Sequence, residues 1–167
     1  MLTRRTLLMA ALLVGSTVGG WQVTSNDATA SLFRYRQRYS SWSYYPTRTY
    51  YYRSYYYKPY ASYSGYKYHY CIYYPSRPRY VYYYNPVRKV YWGRYDLEEK
   101  GYSMLEEKDR KGNLEDIAES AFPKPGEMPQ IPDSEDGVQI ERPSADDLPS
   151  GDPPADAPGN GAADAPK

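Results

Sequence analysis

The middle of the chain alternates between bulky and polar side chains with a period of two. In Tyr66–Tyr74 every second residue is Tyr or Ile, and Lys, His and Cys stand among the residues between them. This alternation, in residue types that favour extended backbone, predicts a β-strand. The prolines of Pro75–Pro78 predict a turn. Arg79–Tyr84 then predicts a second strand, Asn85–Pro86 another turn, and Val87–Trp92 a third strand.

Together these strands predict a small three-stranded antiparallel β meander at about residues 65–95. A unit of about 30 residues is marginal for folding alone, because so short a chain buries little apolar surface. The two edge strands of such a meander would also offer unpaired backbone groups, and we expect these edges to pair with another chain.

The acidic segment that follows the meander predicts only a short helix, at about residues 113–121. Asn113 is a candidate N-cap with Asp116 three residues later, and Pro123 ends the pattern. From Pro123 to Lys167, Pro occurs ten times among Gly, Ala and Asp. That composition predicts an extended, solvated tail, which we expect to keep the Tyr-rich part of the chain in solution.

Residues 31–64 have neither a helical nor a strand period. The triplets Tyr50–Tyr52 and Tyr55–Tyr57 stand among Arg, Ser and Pro, and such low-complexity composition is typical of unfolded chain. The sequence also has few Leu, Ile, Val or Phe residues for a core. We therefore predict a largely disordered, low-complexity protein whose ordered parts are the meander and the short helix.

Charge and tyrosine are both segregated along the 167 residues. The formal net charge is +1, yet residues 28–95 carry twelve Lys or Arg and no acid, whereas residues 96–167 carry nineteen acids and seven bases. Of the 24 tyrosines, 23 lie in the basic segment. The boundary at Asp96 therefore separates a basic, Tyr-rich half from an acidic half.

The N-terminus has the pattern of an export signal. A basic start at Met1–Arg5 precedes the apolar run Leu7–Val18, and Ala28–Ala30 supplies small residues at a cleavage site before Ser31. We predict that residues 1–30 are a signal peptide and that the protein reaches the periplasm, the cell surface or the medium. An uncleaved anchor, cleavage nearer Gly20 and a twin-arginine route are the alternatives.

Tyr and Arg side chains in the basic half predict adhesive contacts. Guanidinium groups stack on Tyr rings at roughly 0.5–1 kcal/mol per exposed pair, and many such contacts in parallel give avidity. The predicted function is a non-enzymatic envelope or matrix protein that binds anionic envelope polymers or itself. Representative contact residues are Arg48, Arg53, Tyr55, Tyr56, Tyr57 and Arg88.

The same pattern allows two other partners for the basic residues. Basic residues interleaved with aromatic residues also suit single-stranded nucleic acid, but an exported chain would not meet the genome, so no specific nucleic acid is expected. In the second alternative, the acidic half of the same chain neutralises the basic half.

The residues with reactive side chains predict neither catalysis nor metal binding. His69 and Cys71 are single residues of their types and lack a third group to orient them. Metal sites need three or four ligands, so no metal, cofactor or small-molecule substrate is expected. His69 is expected at the surface, and Cys71 is expected either to pack or to form an intermolecular disulfide, which would give a dimer outside the cytoplasm.

The blocks around the charge boundary carry a family resemblance. These blocks are Tyr68–Cys71, Tyr91–Asp96, Lys108–Ile117, Phe122–Pro123, Met128–Pro129 and Ile131–Pro132. The chain resembles small exported Tyr-rich proteins of planctomycete bacteria over roughly Tyr66–Pro149. The family has no assigned activity, so the resemblance implies no site residue. It implies that the strands and the acidic piece after Asp96 form one unit.

That implication favours a second function. Residues 65–122 would be a compact module that docks a partner protein, and residues 31–64 would be only a tether. The predicted layout is then a signal peptide (1–30), a Tyr/Arg/Ser-rich segment (31–64), this module (65–122) and a tail (123–167).

Overall fold

Seven β-strands form one antiparallel sheet, curved into a half-barrel, in the part of the chain that the structure describes. The structure is a computed structural model, and it describes residues 36–149 and 166. The strands are β1 (Gln37–Tyr39), β2 (Ser43–Tyr45), β3 (Tyr50–Tyr57), β4 (Lys67–Tyr73), β5 (Tyr80–Asn85), β6 (Val90–Asp96) and β7 (Gly101–Met104). The order across the sheet is β1-β3-β4-β5-β6-β7. Strand β2 pairs with the beginning of β3, and β1 pairs with its end.

The prediction of a largely disordered chain with a three-stranded meander is wrong. The predicted strands fall at β4, β5 and β6, but these are the centre of a larger sheet. Residues 31–64, expected to be unfolded, contribute β1, β2 and β3 within their described part. Strand β3 runs through both Tyr triplets. It shows no period of two because Tyr lies on both of its sides, as in strands that are buried on both faces.

One face of the sheet is covered by residues from the segment predicted as a solvated tail. The buried side chains of this surface, which we call the first face, include Tyr55, Tyr57, Cys71, Val81, Tyr83, Trp92, Tyr95 and Tyr102. Met128, Ile131 and Ile140 pack on them and are themselves at most 3% exposed. Residues 123–148 are therefore cover for the sheet and not solvated chain.

The opposite surface, the second face, is covered by the residues that follow β7. Its buried sheet side chains are Tyr50, Tyr70, Ile72, Tyr82, Tyr84 and Tyr91. Leu105, Leu114 and Ile117 pack on them. Both faces of a sheet built largely from Tyr are thus closed by chain from the acidic half.

The covering residues contain short 3₁₀ turns in place of the predicted helix at 113–121. Leu114–Asp116 and Glu119–Ala121 are separate turns, because Ile117 and Ala118 between them have extended backbone. The Asn113 side chain does not cap a helix; its amide donates to the Asp116 carboxylate at 2.9 Å. Extended backbone at Ile117 breaks the i to i−4 hydrogen bonding on which an α-helix depends.

Side chains of the sheet hydrogen-bond to the backbone of the covering segment. The Tyr39 hydroxyl donates to the Glu141 carbonyl at 2.8 Å, and the Trp42 indole donates to the Asp147 carbonyl at 2.6 Å. Gln37 donates to the Gln139 carbonyl at 3.1 Å. Irregular backbone has few partners of its own, so its carbonyls are free to accept from these side chains, and the three hydrogen bonds join the covering segment to the sheet.

A glycine in β6 allows two neighbouring strands to pack closely. A Cβ atom at Gly93 would lie 2.1 Å from the Tyr102 hydroxyl and 2.6 Å from the Ser103 backbone oxygen. The Ser103 contact is with backbone, which cannot rotate away. Tyr102 therefore occupies the space that any side chain at position 93 would need.

We expect Gly93→Ala to destabilise the fold by about 3 kcal/mol, because overpacking a buried contact forces the backbone to shift. Gly126→Ala is the matched control, since a Cβ there would meet only ordinary contact at 3.9 Å. Urea unfolding followed by aromatic fluorescence measures both variants. Similar midpoints for Gly93→Ala and the wild-type chain would contradict the proposed crowding.

Candidate functional site

A cleft of about 700 Å³ lies at one end of the sheet. Its walls come from the ends of β3, β5 and β7 and from the beginnings of β4 and β6. Antiparallel strands bring these points together at one end of the sheet. Gln130, Pro132 and Asp133 of the covering segment close one side. The cleft is thus built jointly by the Tyr-rich half and the acidic half.

Three aromatic side chains form the floor of the cleft. Tyr57, His69 and Trp92 are 3%, 5% and 8% exposed, and the His69 ring lies 5.2 Å from the other two ring centres, edge to face. A register shift opposite Tyr83 and Tyr84 leaves Trp92 without a direct partner across the sheet. Trp92 lies on the first face and its neighbour Tyr91 on the second, as successive residues of a strand do.

His69 is buried, not at the surface as the sequence predicted. Burial lowers the pKa of His69 from its ordinary value to about 4, so the ring is neutral at pH 7. Its Nε2 atom lies 3.4 Å from the Tyr57 hydroxyl. In the described part of the chain, neither the other ring nitrogen nor the Trp92 indole nitrogen has a hydrogen-bond partner.

The rim of the cleft gathers exposed apolar residues. In the described residues the large hydrophobic side chains that stand exposed are Tyr60, Tyr66, Val87 and Met104, and all but Tyr60 line this cleft. Val87 is the most exposed, at 86%. Exposed apolar side chains that converge on one concave surface mark a contact site more strongly than the same residues scattered singly.

The charged side chains of the cleft are mostly basic. Lys67 pairs with Asp133 at 2.7 Å, and this carboxylate raises the pKa of the lysine. Arg88 pairs with Glu107, outside the lining, at 3.3 Å. Arg110 donates through Nε to the Leu105 carbonyl at 3.2 Å, and no acid of the described chain pairs with it. The lining therefore favours an anionic ligand.

The six predicted contact residues are dispersed. Tyr55, Tyr57 and Arg53 are buried, and the Arg53 guanidinium lies 4.1 Å from the Tyr39 ring centre and 4.6 Å from that of Trp42. Tyr56 is half-buried, whereas Arg48 and Arg88 are exposed. Arg48 precedes β3, and Tyr57 ends it, so these two lie at opposite ends of the strand. Of the six, Tyr57 and Arg88 line the cleft.

Salt bridges join the basic half to the acidic half. They pair Arg36 with Asp136, Lys67 with Asp133, Arg79 with Asp96, Arg88 with Glu107 and Arg94 with Glu119. The alternative in which the acidic half neutralises the basic half is confirmed for these five cations. Arg94 also lies between the rings of Tyr80 and Phe122, about 4 Å from each centre.

Cys71 is fully buried in the sheet, among the residues of the first face. Burial raises the pKa of its thiol to about 12, against the weaker opposing effect of the nearby Arg53 guanidinium. A disulfide between two folded copies would require the sheet to open. In residues 36–149 and 166 no three His, Cys, Asp or Glu side chains group as metal ligands.

The rim residues were not among the predicted site residues. Val87 was assigned to a strand, but it lies in the turn between β5 and β6. The sequence did contain one signal for an exposed apolar residue at this position, because Val87 stands between the turn proline Pro86 and the cations Arg88 and Lys89. Met104 and Arg110 show no pattern along the sequence, because only the ends of separate strands bring them to the cleft.

Comparisons with protein-family models, curated proteins and solved structures give no match. The resemblance to planctomycete Tyr-rich proteins and the export signal at 1–30, outside the described residues, both stay predictions. In the described chain, no helix has the length and apolar character needed to span a membrane.

We expect His69 to make the fold sensitive to mild acid. The unfolded chain binds a proton at His69 near pH 6.5, whereas the folded chain binds it near pH 4. Stability is therefore lost as the pH falls from 6.5 to 4, by roughly 3 kcal/mol. His69→Phe keeps a ring and removes this contribution. Urea unfolding at several pH values measures the difference, and parallel pH profiles for the two chains would contradict it.

We expect the Cys71 thiol to be inert in the folded protein, because both burial and a raised pKa keep the reactive thiolate scarce. A chromogenic disulfide reagent should react with it only as fast as the chain unfolds, and at once in denaturant. The control is Ser64→Cys in a Cys71→Ala chain, since Ser64 is exposed. Rapid native reaction at Cys71, or a disulfide-linked dimer on a non-reducing gel, would contradict this expectation.

Proposed function

We propose that the chain is a non-enzymatic binding module whose cleft holds an acidic segment of a partner protein that also carries a large apolar side chain. The observation that carries the proposal is the rim: Tyr66, Val87 and Met104 stand exposed around one concave surface. As part of the same proposal, this module acts outside the cytoplasm, because residues 1–30 are predicted to be an export signal.

The diffuse adhesive function is less well supported. Its contact groups are used within the fold: Arg53 stacks between two rings, and Tyr55 donates its hydroxyl to Gln37 at 2.8 Å. Arg88 is paired with Glu107. Side chains that are already stacked, hydrogen-bonded or ion-paired offer little to an external polymer. The tether role of residues 31–64 is also set aside, since β1, β2 and β3 belong to the sheet.

The chemistry of the rim favours a protein segment over a polysaccharide. Val87 and Met104 present aliphatic and thioether surface, which suits an apolar side chain and gives a sugar no ring to stack on. The third rim residue, Tyr66, already has Arg38 and Lys58 over its ring.

Of the three lining cations, Lys67 and Arg88 are ion-paired, whereas no acid of the described chain pairs with Arg110. The positive charge of Arg110 attracts an acidic residue and speeds the encounter with it.

A random peptide library panned against the full chain tests the proposal, because it does not require the partner to be known. We expect enriched sequences in which Asp or Glu flanks a large apolar residue. For one such peptide, Val87→Ser and Met104→Ser should each weaken binding about tenfold, the equivalent of one buried apolar side chain. Arg110→Gln should weaken binding less, and mainly at low salt.

Tyr60→Ser is the matched control, since Tyr60 is exposed but does not line the cleft. It should leave the dissociation constant unchanged. Cationic or unrelated enriched sequences, or equal losses in Tyr60→Ser and Val87→Ser, would refute the cleft as the site. Binding of polygalacturonate that weakens equally with Arg48→Gln and Arg88→Gln would support the adhesive function in its place.

A further inference from the structure

A second cleft, of about 610 Å³, lies on the second face of the sheet. This volume is within the range of small-molecule sites, roughly 300–1,000 Å³. The walls come from the chain around the start of β3, the turn after β4, the beginning of β6 and the covering segment: Thr47–Tyr50, Tyr74, Ser76, Arg77, Tyr91 and Asn113–Asp116. None of these residues lines the cleft described above, which we call the first cleft, so the two are separate concave surfaces.

The lining of the second cleft is polar. Among the described residues that form it, Leu114 alone lacks a hydroxyl, amide or charged side chain. Exposed hydroxyls stand on two of its walls, at Thr47, Thr49 and Ser76. Each hydroxyl can donate one hydrogen bond and accept others. A matching ligand therefore needs groups that both donate and accept.

Two cations and two acids line the second cleft without pairing. Arg48 and Arg77 belong to the basic half, and Glu115 and Asp116 belong to the cover. None of these four forms a salt bridge within residues 36–149 and 166, although five other cations of the basic half pair with acids of the acidic half. Their formal charges cancel, so the lining favours a ligand without net charge. The carboxylates can accept strong hydrogen bonds from it, and the guanidinium groups can donate them.

Tyr74 adds an aromatic surface to this lining. It is half-buried, whereas Tyr50 and Tyr91 are each 1% exposed. The Tyr74 and Tyr91 hydroxyls share a hydrogen bond of 2.9 Å, which leaves the hydrogen of the accepting hydroxyl for another partner. The Tyr50 hydroxyl is already used, because it donates to the Pro166 carbonyl at 2.8 Å. Tyr74 thus offers an apolar ring beside a polar group, as a tyrosine at a wet surface does.

We propose that the second cleft binds a neutral oligosaccharide. In this complex Glu115 accepts hydrogen bonds from sugar hydroxyls, Arg48 and Arg77 donate to sugar oxygens, and the Tyr74 ring packs on the C–H face of a pyranose. A sugar matches the lining because its adjacent hydroxyls donate and accept together and carry no charge. The proposal does not depend on the partner assigned to the first cleft, and either proposal can fail alone.

A zwitterionic peptide also has no net charge, but it suits the lining less well. Its ammonium and carboxylate groups would each need a counter-charge at a fixed separation, and the wall hydroxyls at Thr47, Thr49 and Ser76 would stay unused. An oligosaccharide uses the charged groups and the hydroxyls in the same way, as hydrogen-bond partners.

The test is binding of the full chain to an array of immobilised neutral, acidic and amino-sugar oligosaccharides, followed by calorimetric titration with the strongest neutral one. We expect neutral oligosaccharides to dominate the array. Their affinity should be the same at low and at high salt, because salt screens interactions between charges and the ligand has none. Arg77→Ala and Glu115→Ala should each weaken binding about tenfold, the equivalent of one hydrogen bond to a charged group. Tyr74→Phe, which keeps the ring, should weaken binding about threefold.

Arg142→Ala is the matched control, because Arg142 is exposed, has no salt bridge in the described chain and lies outside both clefts. It should leave the dissociation constant unchanged, and thermal unfolding verifies that each variant is folded. An array without neutral ligands, a preference for acidic sugars that weakens with salt, or equal losses in Arg142→Ala and Arg77→Ala would overturn the proposal. Binding of glycylglycine in preference to every sugar, and its loss in Arg77→Ala, would overturn it as well and assign the cleft to a zwitterion.

Discussion

Every buried tyrosine brings a hydroxyl into the interior, and this constraint shapes the rest of the structure. A core of Leu or Val could be closed by any apolar surface, whereas a core of Tyr needs hydrogen-bond partners at the ends of its rings. Regular strands and helices have few free groups to give. The irregular acidic half has many, and its carbonyls at Glu141 and Pro166 accept from Tyr39 and Tyr50. At these two points the Tyr-rich sheet and its irregular cover are complementary in hydrogen bonding. The Tyr83 and Tyr102 hydroxyls, buried on the first face, have no hydrogen-bond partner in the described chain.

Charge segregation follows the same division of the chain. Cations of the basic half form salt bridges with acids of the acidic half, as in the pairs Arg36–Asp136 and Arg94–Glu119. Exposed ion pairs are individually weak, so their main effect is to specify which part of the cover meets which part of the sheet. The near-zero net charge of the chain thus combines two halves of opposite charge, which these salt bridges join. Arg110 of the acidic half lines the cleft beside Trp92, and no acid of the described chain pairs with it.

The strands that alternate Tyr with polar residues were predictable, and those with Tyr on both sides were not. In β4, Lys67 and His69 interrupt the tyrosines and reveal the period of two, whereas in β3 six of eight residues are Tyr and the period is hidden. The cover was not predictable because its apolar residues, such as Met128 and Ile140, are too sparse to form a pattern. The first cleft depends on the meeting of five strand ends, which local sequence does not encode. Arg88 and Tyr57 were named from composition, but their shared place in the cleft was not foreseen.

The order of sheet and cover along the chain has a consequence for biosynthesis. The last strand ends at Met104, whereas the cover of the first face extends to Leu148. A ribosome adds roughly 5–20 residues per second, so the sheet is complete several seconds before its second cover exists. During that interval the curved first face, with its tyrosine rings, is exposed to solvent. Until the acidic half follows, this aromatic surface makes the unfinished chain prone to associate with other chains.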